Sequence, residues 1–137
     1  MIPDPAAARA IHTVLRAATG EVRRAVVEAL VAEKDPRVVP MLVQILHESQ
    51  PFGRDHDVVI ETIDALGTVG TDGSVAILVD MARRRKLFGG RKLRLLKEHS
   101  VDALARVGTV KSAAALAEAA TTGDRALKKL ASVRAKG

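Results

Sequence analysis

Apolar residues recur along this chain at the spacing of a helix face. Val22, Val26, Ala29 and Leu30 fall at i, i+4, i+7 and i+8, one stripe of an amphipathic helix, and Val27 and Val31 add a second apolar flank. Burial on two flanks is what a helix in the middle of a stack requires, since it meets neighbours on both sides. Asp35-Pro36 interrupts the pattern. Pro36 suits the first turn of a following helix whose inner face is Val38, Val39, Leu42, Ile45 and Leu46.

This two-helix pattern is repeated. VVEALVAEKDPRVVPMLVQIL from Val26 aligns with TIDALGTVGTDGSVAILVDMA from Thr62 at an offset of 36. SVDALARVGTVKSAAALAEAA from Ser100 aligns with the second copy at an offset of 38. Leu30, Leu66 and Leu104 correspond and are expected to hold equivalent core positions. The linkers repeat as well, because Phe52 and Phe88, the only aromatics, stand 36 apart and each precedes a glycine. Gly67, Gly70 and Gly108 are expected to loosen or end the first helix of the second and third units.

The pattern predicts helices over Asp4–Ala18, Glu21–Ala32, Arg37–His47, His56–Gly67, Gly73–Lys86, Lys92–Arg106, Lys111–Ala120 and Asp124–Ala135. They form one domain, 1–137, with repeats at about 21–55, 56–91 and 92–123 and flanking helices 4–18 and 124–135. Arg125, Lys128, Lys129 and Arg134 make the outer side of the last helix polar, as a terminal cap requires. The expected fold is therefore all-α, a stack of about three helical repeats with flanking helices.

Composition agrees. Ala, Leu, Arg, Lys and Glu dominate, while Trp and Tyr are absent, which favours helices over a sandwich or barrel. With no cysteine, disulfides, thiolate metal sites and a cysteine nucleophile are excluded, and a reducing cytoplasm is the expected setting. No run approaches the roughly 20 apolar residues of a membrane span. The N-terminal segment, with Asp4 and Arg9, does not read as a secretion signal.

The pattern Ala65-Leu66-Gly67-Thr68-Val69-Gly70, followed by Val75-Ala76-Ile77-Leu78-Val79, resembles the HEAT-repeat family, in particular the bacterial HEAT-like repeats first described in phycobilin lyases. The likeness spans roughly Glu21 to Ala120, and the first unit departs from it, with Val31 and Lys34 where the glycines would stand. It implies a right-handed α-α superhelix acting as a non-enzymatic scaffold or protein-binding module, in this case one that can belong to a larger bacterial protein. The catalytic branches of the family fit poorly. Deoxyhypusine hydroxylase holds iron with His-Glu pairs six and five residues before the repeat leucine, but Glu98-His99 before Leu104 is in the reverse order. The other two units have Ile60-Glu61 and Arg24-Ala25 at those positions. The aromatics used by a chromophore lyase or a HEAT-like DNA glycosylase are missing. His12, His47, His56 and His99 share no ligand spacing, so no metal or other cofactor and no small-molecule substrate is expected.

Charge singles out one region. Residues 1–82 hold 7 basic against 12 acidic side chains, whereas residues 83–137 hold 15 against 4. Arg83, Arg84, Arg85, Lys86, Arg91, Lys92, Arg94 and Lys97 bracket the Leu87-Phe88-Gly89-Gly90 turn. The first four read as the end of a helix, where its dipole favours cations, but the last four open the next helix, where it does not. A solvated, solubilising surface is the plain explanation. The functional reading, which adds Phe88, is an edge for an acidic protein or neighbouring domain. Nucleic acid is the alternative, less favoured without aromatic interleaving or a recognition-helix motif. Phe52 and Phe88 are expected to tuck against their repeats and pin the linkers, with exposed anchors as the other reading.

Overall fold

The computed structural model describes residues 5–136; Asp4, at the start of the expected first helix, lies outside them. Among the described residues there are eight α-helices and no strand: α1 Pro5–Ala17, α2 Gly20–Val31, α3 Val39–Glu48, α4 His56–Val69, α5 Val75–Ala82, α6 Gly90–Val107, α7 Val110–Thr122 and α8 Arg125–Lys136. Single 3-10 turns, Pro36–Val38 and Asp72–Ser74, lead into α3 and α5. The helices alternate between two rows. In one, α2 packs on α4, α4 on α6 and α6 on α8; in the other, α1 packs on α3 and α5 on α7. The rows are joined where α3 meets α4, α5 meets α6 and α7 meets α8. Leu42, Ile45, Val59, Ile63, Leu66, Leu78, Leu96, Leu104 and Leu127 fill the interior between them.

Backbone chemistry fixes the repeated turn. Gly70 and Gly108 cap α4 and α6 in the left-handed region, with φ of 73° and 66°, each donating its N–H to the repeat leucine's carbonyl. Lys34, at the corresponding place after α2, takes φ 52° without being glycine. The first unit therefore passes through the same left-handed position, with Lys34 donating to the Val31 carbonyl and not to that of Leu30, and carries the strain of a side chain at positive φ. Thr109 opens α7 with a reciprocal cap, its hydroxyl accepting from the Ser112 N–H while Ser112 accepts from the Thr109 N–H.

Gly67 does not end its helix. It lies inside α4, where a Cβ would stand 2.9 Å from the Cα of Ala103. Glycine is there so that α4 and α6 can approach backbone to backbone. Gly67→Ala should lower stability by about 1–3 kcal/mol, read from the midpoint of urea unfolding; an unchanged midpoint would count against this close packing.

The first unit departs from the expected register. Leu66 and Leu104 are buried, but Leu30 is only partly so, and Val22 is 52% exposed. In α2 the Val27–Val31 flank is the one that is covered. The reason is position in the stack: α2 has α4 on one side and no preceding helix of its own row on the other. Leu30 is thus a rim residue, not the equivalent of Leu66.

Candidate docking edge

Two long connections lie at one edge of the stack, residues 49–55 between α3 and α4 and residues 83–89 between α5 and α6. They carry the duplicated phenylalanines but dispose them differently. Phe52 is half-buried, with Lys86 Nζ 4.9 Å from its ring centroid and Lys92 Nζ donating to its carbonyl at 3.3 Å. The following connection therefore covers Phe52. Phe88 is 94% exposed and Leu87 82% exposed, because the next link of this kind, between α7 and α8, is only Gly123-Asp124 and lays nothing over them. Phe88 also has φ 61°, a strained backbone for a side chain of its size. Tucking is realised at Phe52 and not at Phe88.

The cations divide in the same way. α5 ends at Ala82, four residues before the expected Lys86, so Arg84, Arg85 and Lys86 lie in the connection beyond the helix dipole. Lys97 ends the helix by donating to the Ala82 carbonyl at 2.8 Å, and it pairs with Asp124 at 2.9 Å while only 3% exposed. Lys97 therefore belongs to the interior and not to the exposed edge. The Asp124 carboxyl, which burial alone would raise, is held below its ordinary value by the Leu127 N–H and by Lys97. Arg83 donates to the Thr122 hydroxyl, and Arg84 and Arg94 form exposed pairs with Asp80 and Glu98. Arg85 approaches Asp124 at 3.8 Å while 78% exposed, a contact worth little. Arg91 is exposed with no partner among the described residues. The edge is thus a Leu-Phe tip ringed by Arg84, Arg85, Lys86, Arg91 and Lys92, with Arg83 and Arg94 at its margins.

The structure also assembles a polar cluster that spacing did not reveal. His12 of α1, Ser49 after α3 and Asp55 before α4 are all buried, and Arg16 clamps the Asp55 carboxylate with bonds of 2.8 and 3.0 Å. This trio has the composition of a hydrolase triad but not its geometry. Ser49 Oγ donates to the Ile45 carbonyl at 2.6 Å, and the same His12 Nε2 faces both Ser49 and Asp55, at 3.1 and 3.9 Å. A relay needs the serine on one ring nitrogen and the carboxylate on the other, and here both lie on Nε2, so the cluster's evident role is to tie α1 to the 49–55 connection. Among the described residues no group of His, Asp and Glu could hold a metal ion, and no helix is long and apolar enough to cross a membrane.

Its electrostatics set a pH dependence. Burial first, then Arg16, holds His12 below its ordinary 6.5, against the pull of Asp55 and Glu48. The folded chain then binds fewer protons at this site than the unfolded one, so stability is full above 6.5 and falls as the pH drops below it. His99 runs the other way. Its bond to Asp64, 2.8 Å long, raises it despite burial, and that contribution is present below 6.5 and lost as the pH rises through the raised value. Between about pH 7 and 5.5 the fall in melting temperature should shrink in His12→Gln and grow in His99→Gln; the reverse order would refute this assignment.

No family model, curated protein or solved structure matches the chain.

Proposed function

We propose that this chain is a non-enzymatic docking module built on a right-handed HEAT-type solenoid, and that its basic C-terminal edge receives an acidic protein partner or neighbouring domain. The repeat correspondence and the two rows of helices support the architecture. The observation that carries the docking reading is the joint exposure of Leu87 and Phe88 among five cations. Two adjacent large apolar side chains in water are unfavourable unless another surface covers them, and the surrounding charge selects that surface as acidic. An edge serving only solubility has no use for Leu87 and Phe88.

The test is charge reversal. Wild type should bind polyglutamate with an affinity that falls steeply with salt, and reversing Arg84, Arg85, Arg91 and Lys92 to Glu should abolish it. Preference for random duplex DNA over polyglutamate, with a log–log salt slope of about one unit per phosphate contacted, would replace this reading with nucleic-acid binding through the same edge.

A further inference from the structure

Two clefts lie between neighbouring helices of the α2–α4–α6–α8 row, and their charges differ. Between α2 and α4 the floor is Val27, Val31 and Ala65, and the rim satisfies itself. Glu61 is held by Arg23 at 2.7 Å, Asp64 by His99 at 2.8 Å, and Glu28 stands beside Arg24. That rim selects no partner. Between α6 and α8, two hollows of about 400 and 310 Å³ share Arg94, Ala126 and Leu130 and so form one groove, lined by these two helices alone and open along one side. Its floor is Leu93, Ala126, Leu130 and Val133. Leu93 and Leu130 are half-buried and Val133 is 58% exposed, so apolar surface faces water along its length.

Five cations line this groove against one carboxylate, Glu98. Lys97 is taken up by Asp124, Arg134 by Asp102, and Arg94 loosely by Glu98 at 3.9 Å. Arg91 and Lys129 are exposed without a partner among the described residues, and so is Arg125, one turn before Lys129 on α8. After internal pairing the groove therefore keeps a positive surplus on both of its walls. It begins at Gly90, two residues past Phe88, and Gly89 packs on the Leu93 side chain, so tip and groove are one surface. From Gly90 to Glu98 it runs about 12 Å, two turns of a helix. Most backbone groups along it are engaged inside α6 and α8, so an extended segment finds no edge to pair with. Ala126, Leu130 and Val133, at i, i+4 and i+7, form a ridge of the kind that another helix packs beside. We propose that the acidic partner enters as an amphipathic helix lying in the α6–α8 groove, its apolar stripe on Leu93, Leu130 and Val133 and its carboxylates toward Arg91, Arg125 and Lys129. The proposal rests on the docking reading above and gives the form its acidic partner takes.

Fluorescence anisotropy with the full chain tests this. The probe is a dye-labelled peptide of about 15 residues of Glu, Ala and Leu, with the leucines on one helical face, set against the same residues scrambled. The amphipathic peptide should bind wild type at least about tenfold more tightly than the scrambled one. Ala126→Gln with Val133→Ser roughens the groove without changing any charge. Both positions are exposed, so the fold should be kept, and circular dichroism checks that. This double variant should lose at least about tenfold in affinity for the amphipathic peptide while binding polyglutamate as wild type does. The proposal is overturned if the scrambled peptide binds wild type equally well, or if the folded double variant binds the amphipathic peptide like wild type. Either result with polyglutamate still held by the basic edge sinks the helix and leaves the docking reading standing. Wild type that binds neither peptide nor polyglutamate removes both.

Discussion

Truncating Leu66 to alanine should lower the unfolding free energy by about 2–5 kcal/mol, while the same change at Leu30 should cost about 1 kcal/mol or less. The two leucines occupy corresponding places in the sequence but not in the molecule. Leu66 has no exposed surface and sits in α4 between α2 and α6, so deleting its branch leaves a hole that packed neighbours on both sides cannot fill. Leu30 borders solvent, and water or a small side-chain shift replaces what is removed. Denaturant unfolding of both variants reads the difference directly, provided the slope with denaturant is unchanged. Equal losses would mean that α2 is covered on both flanks in solution.

The second large effect is expected at Lys97. Lys97→Met keeps the aliphatic stem and removes the ammonium, leaving the Ala82 carbonyl without its bond and the Asp124 carboxylate, 20% exposed, without its nearest cation. Removing one member of a buried pair typically costs about 3–5 kcal/mol, and the partial exposure of Asp124 brings the expectation to about 3 kcal/mol. Adding Asp124→Asn should recover part of the loss, because it retires the stranded charge while still capping the Leu127 N–H. Polyglutamate binding by the folded Lys97→Met variant should match wild type. If instead binding falls and stability does not, Lys97 belongs to the exposed edge after all.

What could be read from the sequence divides along physical lines. Helix positions were legible because they follow from local rules: the 3.6-residue apolar period, Asp35-Pro36 as a break, and Gly70 and Gly108 as left-handed caps. The misreadings concern relations between helices. Gly67 looked like a terminator because a glycine near a turn usually is one, and only the neighbouring Ala103 reveals it as a point of close approach. The cation run from Arg83 looked continuous with α5, since nothing local indicates that Lys97, fourteen residues on, takes the terminal carbonyl. The His12–Ser49–Asp55 cluster joins three segments with no common spacing. For the candidate site, the duplicated phenylalanines were the informative signal, and the shortness of the Gly123-Asp124 link, visible in the sequence, was the clue to their different fates.

The unequal joints of this stack bear on how it comes apart. Where Gly67 lets two backbones touch, opening would expose a close contact all at once; where α2 meets α4, a cleft lined by Val27, Val31 and Ala65 leaves part of that contact unmade. Thermal fluctuation therefore has a preferred starting place, the α1–α2 end, which is held by Leu15, Val27 and Val31 in the core and by the Arg16–Asp55 and Arg23–Glu61 clamps. Amide protons in those two helices should exchange with solvent through partial opening, while those of α4 and α6 should wait for the whole molecule to unfold.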